Sequence, residues 1–187
     1  MEQLKNEKLT VEISSRGAEL QSIRNAEGRE YLWQGDEKYW PRRSPLLFPI
    51  VCGLWKDEYR VDGRTFNLPR HGFARDMDFE VVEKSDTSVT YTLESNAQTR
   101  EVYPYDFELD VTYILNDDNI NVIWSVKNTG KEEMHFQIGG HPAFNLPGVA
   151  EGDKMHGSIL FDNVEPLTRI IGNTGGCIKP ERYELKT

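Results

Sequence analysis

The sequence predicts an all-β fold, an antiparallel β-sandwich. Short segments in which apolar and polar residues alternate recur along the chain, and turn-forming residues separate them. Helical periodicity is weak throughout. No internal repeat, low-complexity tract or linker divides the 187 residues, so we expect one domain over residues 1–187.

The first strands are predicted from period-two alternation and from one turn. Residues 9–13 and 89–93 alternate between apolar and polar side chains, as half-buried strands do. Residues 58–61 and 64–68 flank the pair Asp62-Gly63. Because Asp-Gly tolerates the positive φ angles of a two-residue turn, these segments predict a β-hairpin.

The clearest predicted hairpin lies in the middle of the chain. Residues 107–115 alternate up to a turn at 116–119, and residues 120–126 alternate back. Trp124 occupies an apolar position of the second segment, so we expect its side chain in the core.

Helix signals are short, and the end of the chain is poorly patterned. Residues 36–40 and 95–99 each indicate a single helical turn, since a proline follows each of them closely. Beyond residue 148 the pattern weakens, and only residues 158–161 predict a strand.

Composition excludes several classes of partner. The chain has 22 Lys+Arg against 31 Asp+Glu, a net charge of -9, which disfavours nucleic acids and anionic membranes. No apolar run approaches the roughly 18 residues of a membrane span, and the N-terminus lacks a signal-type apolar region. Cys52 and Cys177 are too few and too far apart for a disulfide framework. We expect a reduced, cytoplasmic protein.

Two loop-like segments contain a histidine beside glycine, at residues 70–76 and 139–145. Glycine allows a tight bend or a close approach to a ligand, and imidazole exchanges protons near neutral pH. His71 and His141 are therefore the candidate catalytic residues. The alternative for His71 is a structural loop histidine bonded to a carboxylate.

The other candidate residues are more ambiguous. His135 fits an ordinary sheet histidine and His156 a solvated one, and the histidine spacing matches no zinc motif, so no metal is expected. Arg42 and Arg43 lie between prolines that restrict the backbone. From the residues alone, an exposed basic loop explains these two arginines better than a ligand contact does, and Arg75 has a similar ambiguity.

Four motifs, in this order, resemble those of the aldose 1-epimerase (galactose mutarotase-like) family, and most closely its LacX-type branch. They are Ser44-Pro45-Leu46-Leu47-Phe48-Pro49 with Gly53, then His71-Gly72-Phe73-Ala74-Arg75, Tyr103-Pro104 with Phe107, and Gly139-Gly140-His141-Pro142-Ala143-Phe144-Asn145. The likeness covers roughly residues 9–147.

The resemblance implies a large antiparallel sandwich that binds a small-molecule sugar or sugar phosphate and interconverts its α and β anomers without a cofactor. A carboxylate takes the proton of the anomeric hydroxyl while a histidine protonates the ring oxygen. By motif position His141 is that acid, and His71 binds and polarises the sugar. Arg43, Arg75 and Asn145 are the implied substrate contacts, with Arg75 suited to a phosphate.

One element of the family pattern has no counterpart here. The family's base is a late glutamate, and Glu165, Glu181 and Glu184 stand in contexts that do not match it. We therefore expect this chain to be the N-terminal two-thirds of such a protein, lacking the base. Exposed sheet edges would then favour self-association.

Three functions remain open at this level. The first is an aldose 1-epimerase, impaired here by the lack of its base. The second is a hexose-6-phosphate 1-epimerase, for which Arg43 and Arg75 would hold the phosphate. The third is a carbohydrate-binding module without proton transfer.

Overall fold

The structure is built almost entirely from antiparallel strands, as the sequence predicts. A computed structural model of the chain describes residues 1–146, 148–149, 168–172 and 178–184. Every pairing between the named strands is antiparallel, and an isolated bridge between Phe48 and Gly72 is parallel. The strand predicted at 158–161, like His156 and Glu165, lies outside the described residues.

Two larger sheets form the body of the fold, with strands numbered in chain order. The first sheet has three strands in the order β1 (Glu2–Lys5), β2 (Leu9–Ser14) and β3 (Glu19–Asn25). The second runs from edge to edge as β10 (Asn119–Asn128), β9 (Phe107–Asn116), β8 (Ser88–Glu94) and β7 (Glu80–Lys84). Alternate residues of β2, β8 and β9 are buried, so each of these strands presents one face to the core.

The remaining strands form three two-stranded pairs. These are β4 (Leu46–Leu47) with β11 (Gly139–Gly140), β5 (Glu58–Val61) with β6 (Arg64–Asn67), and β12 (Thr168–Gly172) with β13 (Ile178–Glu184). The pair β4–β11 is the shortest of them, and it joins two segments that lie more than ninety residues apart in the sequence.

Both predicted hairpins are confirmed. Strands β9 and β10 pair from Asn116 with Asn119 to Phe107 with Asn128. Between β5 and β6, Asp62 and Gly63 have φ of 48° and 77°, the positive values that the turn requires.

The two helical signals have different outcomes. Residues 36–40 make a single hydrogen-bonded turn, from Trp40 N–H to the Asp36 carbonyl. The second signal becomes α1 (Ala97–Val102), which begins two residues later than predicted. Asn96 and Thr99 form a reciprocal capping box that fixes this start. No helix in the described part of the chain has the length and apolar character of a membrane crossing.

The two larger sheets share one hydrophobic core and are joined by tyrosine hydroxyls. Side chains of β1 and β2 pack with those of β8 and β9 in a single buried cluster. Within it, Tyr91 donates a hydrogen bond to the Ile13 carbonyl at 3.2 Å, and Tyr113 donates one to the Ala18 carbonyl at 2.7 Å. Burial raises the pKa of the Tyr113 phenol, which therefore remains a donor at any physiological pH.

The prediction that Trp124 is a core residue is wrong. Its side chain is 38% exposed, and its neighbours Val122 and Ile123 are 40% and 52% exposed. The alternation does mark a strand, but β10 is an edge strand among those described, so its apolar positions are only partly covered.

The buried tyrosine hydroxyl gives a test of how the sheets are held together. Tyr113→Phe should lower the free energy of unfolding by about 1–2 kcal/mol, because the buried Ala18 carbonyl loses its donor. The melting temperature should fall by about 2–4 °C for each kcal/mol. Tyr31→Phe is the control, since the Tyr31 hydroxyl only accepts one long bond of 3.4 Å from Asn25. Equal losses in both variants would contradict the assignment.

Candidate active site

The His71 loop is a tight turn pressed against the end of β4. Gly72 N–H donates to the Pro69 carbonyl, and both His71 and Gly72 are left-handed, with φ of 69° and 70°. The Phe48 carbonyl then accepts hydrogen bonds from Phe73 N–H at 3.0 Å and Ala74 N–H at 3.2 Å. These bonds fix the loop to the strand segment that precedes it in the sequence.

Gly72 is required by this close approach. A Cβ atom at this position would lie 2.2 Å from the Phe48 carbonyl oxygen and 2.5 Å from the carbonyl carbon. No side chain fits at that distance, and backbone atoms cannot yield as a flexible side chain can. The glycine beside His71 therefore serves the approach of two backbone segments.

The His71 ring is oriented by the main chain of Cys52. Cys52 N–H donates to His71 Nδ1 at 3.0 Å, and His71 N–H donates back to the Cys52 carbonyl at 2.8 Å. An Nδ1 atom that accepts a hydrogen bond carries no proton, so the neutral ring holds its proton on Nε2. His71 can thus offer an N–H group from Nε2 to a ligand.

The surroundings of His71 keep the ring neutral. Partial burial lowers its pKa, and the charges of Arg75, Arg70, His141 and Arg42 lower it further, in that order. All of the charged groups in this set are cationic or can become so. The structure thus gives His71 the properties of a neutral hydrogen-bond donor rather than of a general acid.

The His141 loop is bonded to chain segments on two sides. Its β11 residues pair with β4, His141 N–H donates to the Pro45 carbonyl at 3.1 Å, and Ala143 N–H donates to the Arg43 carbonyl at 2.9 Å. On the other side, Trp33 N–H donates to the Ala143 carbonyl at 2.9 Å. This bonding holds the backbone of the histidine in one conformation.

The two predicted histidines lie side by side. The ring centroids of His71 and His141 are 6.3 Å apart, with the planes inclined at 63°. On its other side, His141 contacts Trp40, with centroids 4.9 Å apart. Trp33 Nε1–H donates to the Trp40 carbonyl at 2.8 Å and so holds this tryptophan in place. The sequence did not indicate that Trp40 would contact a candidate catalytic ring.

Of the two arginines between the prolines, Arg43 makes structural contacts and Arg42 acts on His71 through its charge. Arg43 donates from Nη1 to Gln21 Oε1 at 2.6 Å and from Nη2 to the Gln34 carbonyl at 3.1 Å, so its guanidinium holds the loop. Arg42 is the one whose charge acts on His71, although the sequence favoured Arg43. A sugar contact by Arg43 stays a prediction.

Arg75 lies beside His71 and shares a carboxylate with Arg42. Its Nη2 atom donates to the Arg70 carbonyl at 2.7 Å, and its Nε atom lies 3.5 Å from Asp76 Oδ2. Arg42 Nη2 donates to the other oxygen of Asp76 at 2.8 Å. One carboxylate therefore partly neutralises two of the arginines around His71, and the cluster keeps a positive charge.

Asn145 lies at the far end of the second loop, where it bonds backbone. Its Nδ2 atom donates to the Leu32 carbonyl at 2.9 Å, and its N–H donates to the Tyr31 carbonyl at 2.8 Å. These bonds connect the loop to residues 31–33. The role of Asn145 as a substrate contact stays a prediction.

Neither a base nor a metal site is evident in the described residues. Glu181 is exposed on β13, while Glu165 and the Glu184 side chain fall outside the description. No three His, Cys, Asp or Glu side chains in the described ranges come together in a metal-binding cluster.

Two glycines with similar φ angles separate steric from conformational effects. Gly72→Ala should destabilise the protein by about 3 kcal/mol or more, because the Phe48 carbonyl blocks the new Cβ and the backbone is left-handed. Gly63→Ala is the control. Gly63 has φ of 77°, and a Cβ there would meet nothing within 4 Å, so this variant should lose only about 1–2 kcal/mol. Thermal unfolding with similar losses in both would refute the close approach.

The cations around His71 predict its titration. By ¹H–¹³C NMR, the pKa of His71 should lie below the reference value of about 6.5. On acidification the unfolded chain then binds a proton at this residue more readily than the folded chain does, so the free energy of unfolding falls. Arg75→Gln should raise the pKa, because a cation that opposes the imidazolium is removed, whereas Arg75→Lys should leave it low.

Arg43→Gln is the matched control for this titration. Its guanidinium contacts Gln21 and Gln34, and its charge is not among those that act on His71. A His71 that titrates above about 6.5, or that responds equally to the loss of either arginine, would disprove the electrostatic account.

The chain has close relatives among known proteins. A family model described as Aldose 1-epimerase matches residues 2–160. Protein LacX (chromosomal) of Lactococcus lactis subsp. lactis is 42% identical over 171 residues, which cover 87% of this chain and 56% of LacX. The chain therefore spans little more than half the length of this curated relative.

Solved structures show the same fold. The galactose mutarotase related enzyme of Lactobacillus acidophilus superposes with a TM-score of 0.86 at 38% identity, over 98% of this chain and 61% of that one. A galactose mutarotase-like protein of Lactobacillus casei gives 0.83 at 36% identity, over 99% of this chain and 67% of that one. By sequence and by fold, the chain is a member of the aldose 1-epimerase family.

Proposed function

We propose that the two-histidine site takes part in an aldose 1-epimerase reaction, which interconverts the α and β anomers of a free hexose. The observation that carries the proposal is the 6.3 Å separation of the His71 and His141 rings, which come from loops about seventy residues apart. Membership of the aldose 1-epimerase family supports it. The proposed substrate is a small sugar in the cytoplasm.

The reaction is a proton relay with no net redox change. A base removes the proton of the C1 hydroxyl, the bond between C1 and the ring oxygen breaks, and the ring oxygen takes a proton from an acid. After rotation about the C1–C2 bond, the former ring oxygen, now a hydroxyl, attacks the other face of the C1 carbonyl. Its proton returns to the acid, and the new C1 hydroxyl takes its proton back from the base. Acid and base groups each contribute about 10²–10⁴-fold in such steps.

The two histidines have different proposed roles. Because Cys52 N–H occupies His71 Nδ1 and the pKa of His71 is lowered by burial and neighbouring cations, His71 is proposed to donate a hydrogen bond from Nε2 to a sugar oxygen. His141 is proposed as the acid, on the basis of its position in the motif. Its backbone is fixed by β4 and its ring by Trp40.

The base is the part of the reaction that the described residues leave open. The charges that act on His71 are cationic, so none of them belongs to a carboxylate that could serve as the base. We therefore propose that the described residues bind sugar and, without a base among them, turn it over slowly. The expected deficit relative to an epimerase with a general base is about 10²–10⁴-fold, the contribution of that base.

A specific observation favours a second candidate, the hexose-6-phosphate 1-epimerase. Arg42, Arg70 and Arg75 surround His71, whereas Asp76 is the carboxylate that pairs with two of them. A net positive charge beside a sugar site attracts a phosphate ester, and guanidinium groups bind phosphate well. For this candidate Arg75 is the proposed phosphate ligand.

Anomer exchange tests the first candidate. Fresh α-galactose and α-glucose are followed by polarimetry with this chain, with its His141→Ala variant, and with LacX of L. lactis as the longer relative. We expect strong acceleration by LacX, weak acceleration by this chain and none by the variant. If neither LacX nor this chain accelerates mutarotation, the epimerase assignment fails.

Ligand binding separates the remaining functions. Saturation-transfer NMR with galactose and with glucose 6-phosphate is applied to this chain and to Arg75→Gln, with Arg43→Gln as the control. Binding of the phosphate ester alone, lost only in Arg75→Gln, selects the phosphate candidate. Sugar binding that survives His141→Ala, with mutarotation absent before and after, selects a non-catalytic carbohydrate-binding module.

A further inference from the structure

The hydrogen-bond ladder between β4 and β11 extends beyond these two-residue strands. Gln137 N–H donates to the Pro49 carbonyl at 2.9 Å, and His141 N–H donates to the Pro45 carbonyl at 3.1 Å. Both bonds keep the register in which β4 pairs with β11. Because the side chains of residues i, i+2 and i+4 along a strand lie on the same face, Gln137, Gly139 and His141 share one face.

Gly139 leaves room on that face, and the side chain of Val51 lies there. A Cβ atom at Gly139 would be 3.4 Å from Val51 Cγ2. Beside this contact, Gln137 Oε1 accepts a hydrogen bond from Val51 N–H at 3.0 Å. Residues 49–52, which we call the 49–52 loop, are thus held to the strand that carries His141 by a backbone bond and by a side-chain bond.

The 49–52 loop contains the group that orients His71. Cys52 directly follows Val51, and its N–H donates to His71 Nδ1 at 3.0 Å. His71 N–H donates in return to the Cys52 carbonyl at 2.8 Å. The loop therefore lies between the two histidine segments, bonded to Gln137 on one side and to His71 on the other.

The backbone of Cys52 has a conformation that depends on such support. Its φ is 67°, in the left-handed region that residues with a Cβ atom disfavour. A conformation of this kind persists only while the surrounding structure holds it. The bond from Val51 N–H to Gln137, one residue earlier, therefore helps to fix the direction of the Cys52 N–H group.

We propose that Gln137 is a positioning residue for His71. Through Val51 and Cys52 it holds the N–H group that occupies His71 Nδ1 and so keeps the ring proton on Nε2. The use of that proton in sugar binding rests on the proposed function, whereas the orientation of the ring does not. One strand then carries His141 and, four residues earlier, the side chain that prepares the other histidine.

The bond from Cys52 and the charges around His71 act on the ring in the same direction. Partial burial lowers the pKa of His71, and so do the charges of its neighbours Arg75, Arg70, His141 and Arg42. Protonation of Nδ1 would also require the bond from Cys52 N–H to break, which disfavours the imidazolium. Loss of the Gln137 acceptor should therefore raise the pKa of His71 while the arginines stay in place.

A side chain of similar length without the acceptor tests the proposal. Gln137→Met removes the oxygen that accepts from Val51 N–H. Solvent exchange of the Cys52 amide should accelerate about fivefold, as expected when a hydrogen bond is lost. Long-range ¹H–¹⁵N NMR should show part of the neutral His71 ring with its proton on Nδ1, and the pKa of His71 should rise towards about 6.5.

Two further variants separate the hydrogen bond from other effects. Gln137→Glu keeps an acceptor, so at pH 7 it should preserve the slow exchange of the Cys52 amide and the His71 tautomer. Its added charge also acts on the pKa of His71, which is not compared for this variant. Gln34→Met is the matched control, because the Gln34 amide donates to a carbonyl in its own segment, that of Leu32, at 3.0 Å. This control should leave all three measurements unchanged.

Two results would overturn the proposal. The first is a Gln137→Met variant in which the Cys52 amide and the His71 ring behave as in the unmodified chain, or in which Gln34→Met changes them equally. The second is a Gln137→Glu variant in which the His71 tautomer is lost, a result that stays informative if Gln137→Met does not fold.

None of these measurements needs a sugar, so the positioning role is tested separately from the epimerase assignment. Saturation-transfer NMR with galactose then connects the two. Weaker galactose binding by Gln137→Met supports both the positioning of His71 and its contact with sugar. An altered His71 tautomer with unchanged galactose binding supports the positioning role and contradicts the sugar contact alone.

Discussion

One short segment, residues 43–49, supports both halves of the candidate site. Its β4 residues pair with Gly139 and Gly140, and the carbonyls of Arg43 and Pro45 accept hydrogen bonds from the His141 loop. The Phe48 carbonyl at its end accepts two bonds from the His71 loop. The segment is itself held where Glu19 accepts the N–H groups of Arg43 and Ser44. The 6.3 Å spacing of the two rings depends on this backbone bonding.

The second constraint is electrostatic. Main-chain bonding to Cys52 assigns the proton of neutral His71 to Nε2, and the arginines around it oppose a second proton. The ring can therefore donate a hydrogen bond at neutral pH without acquiring charge. His141 experiences a different environment, in contact with the Trp40 ring. The two histidines thus have different surroundings, as the different roles proposed for them require.

Local features of the fold were predictable from sequence, and features that depend on distant neighbours were not. Period-two alternation and the Asp62-Gly63 turn located β5, β6, β9 and β10, because both signals arise within a few residues. The exposure of Trp124 depends on which strand forms the sheet edge, and no local pattern records that. The start of α1 shifted because a side-chain cap, rather than helical propensity, decides it.

The candidate site divides in the same way. Glycine beside histidine correctly indicated unusual backbone at residues 71 and 72 but not at Gly139 and Gly140, which form the strand β11. The prolines correctly indicated a restrained segment at 41–49. The direction of the Arg43 guanidinium depends on Gln21 and Gln34, which the sequence places elsewhere in the chain. The contact of Trp40 with His141 spans a hundred residues and carries no signal in either motif.

The common attachment of the two histidine loops also has a mechanical consequence. Because both loops are hydrogen-bonded to residues 43–49, a displacement of that segment relative to the sheets would carry both histidine backbones in the same direction. The two loops would then move together, which keeps the distance between their backbones constant. A ligand bound between the two histidines would then meet the same spacing of the two loops when residues 43–49 are displaced.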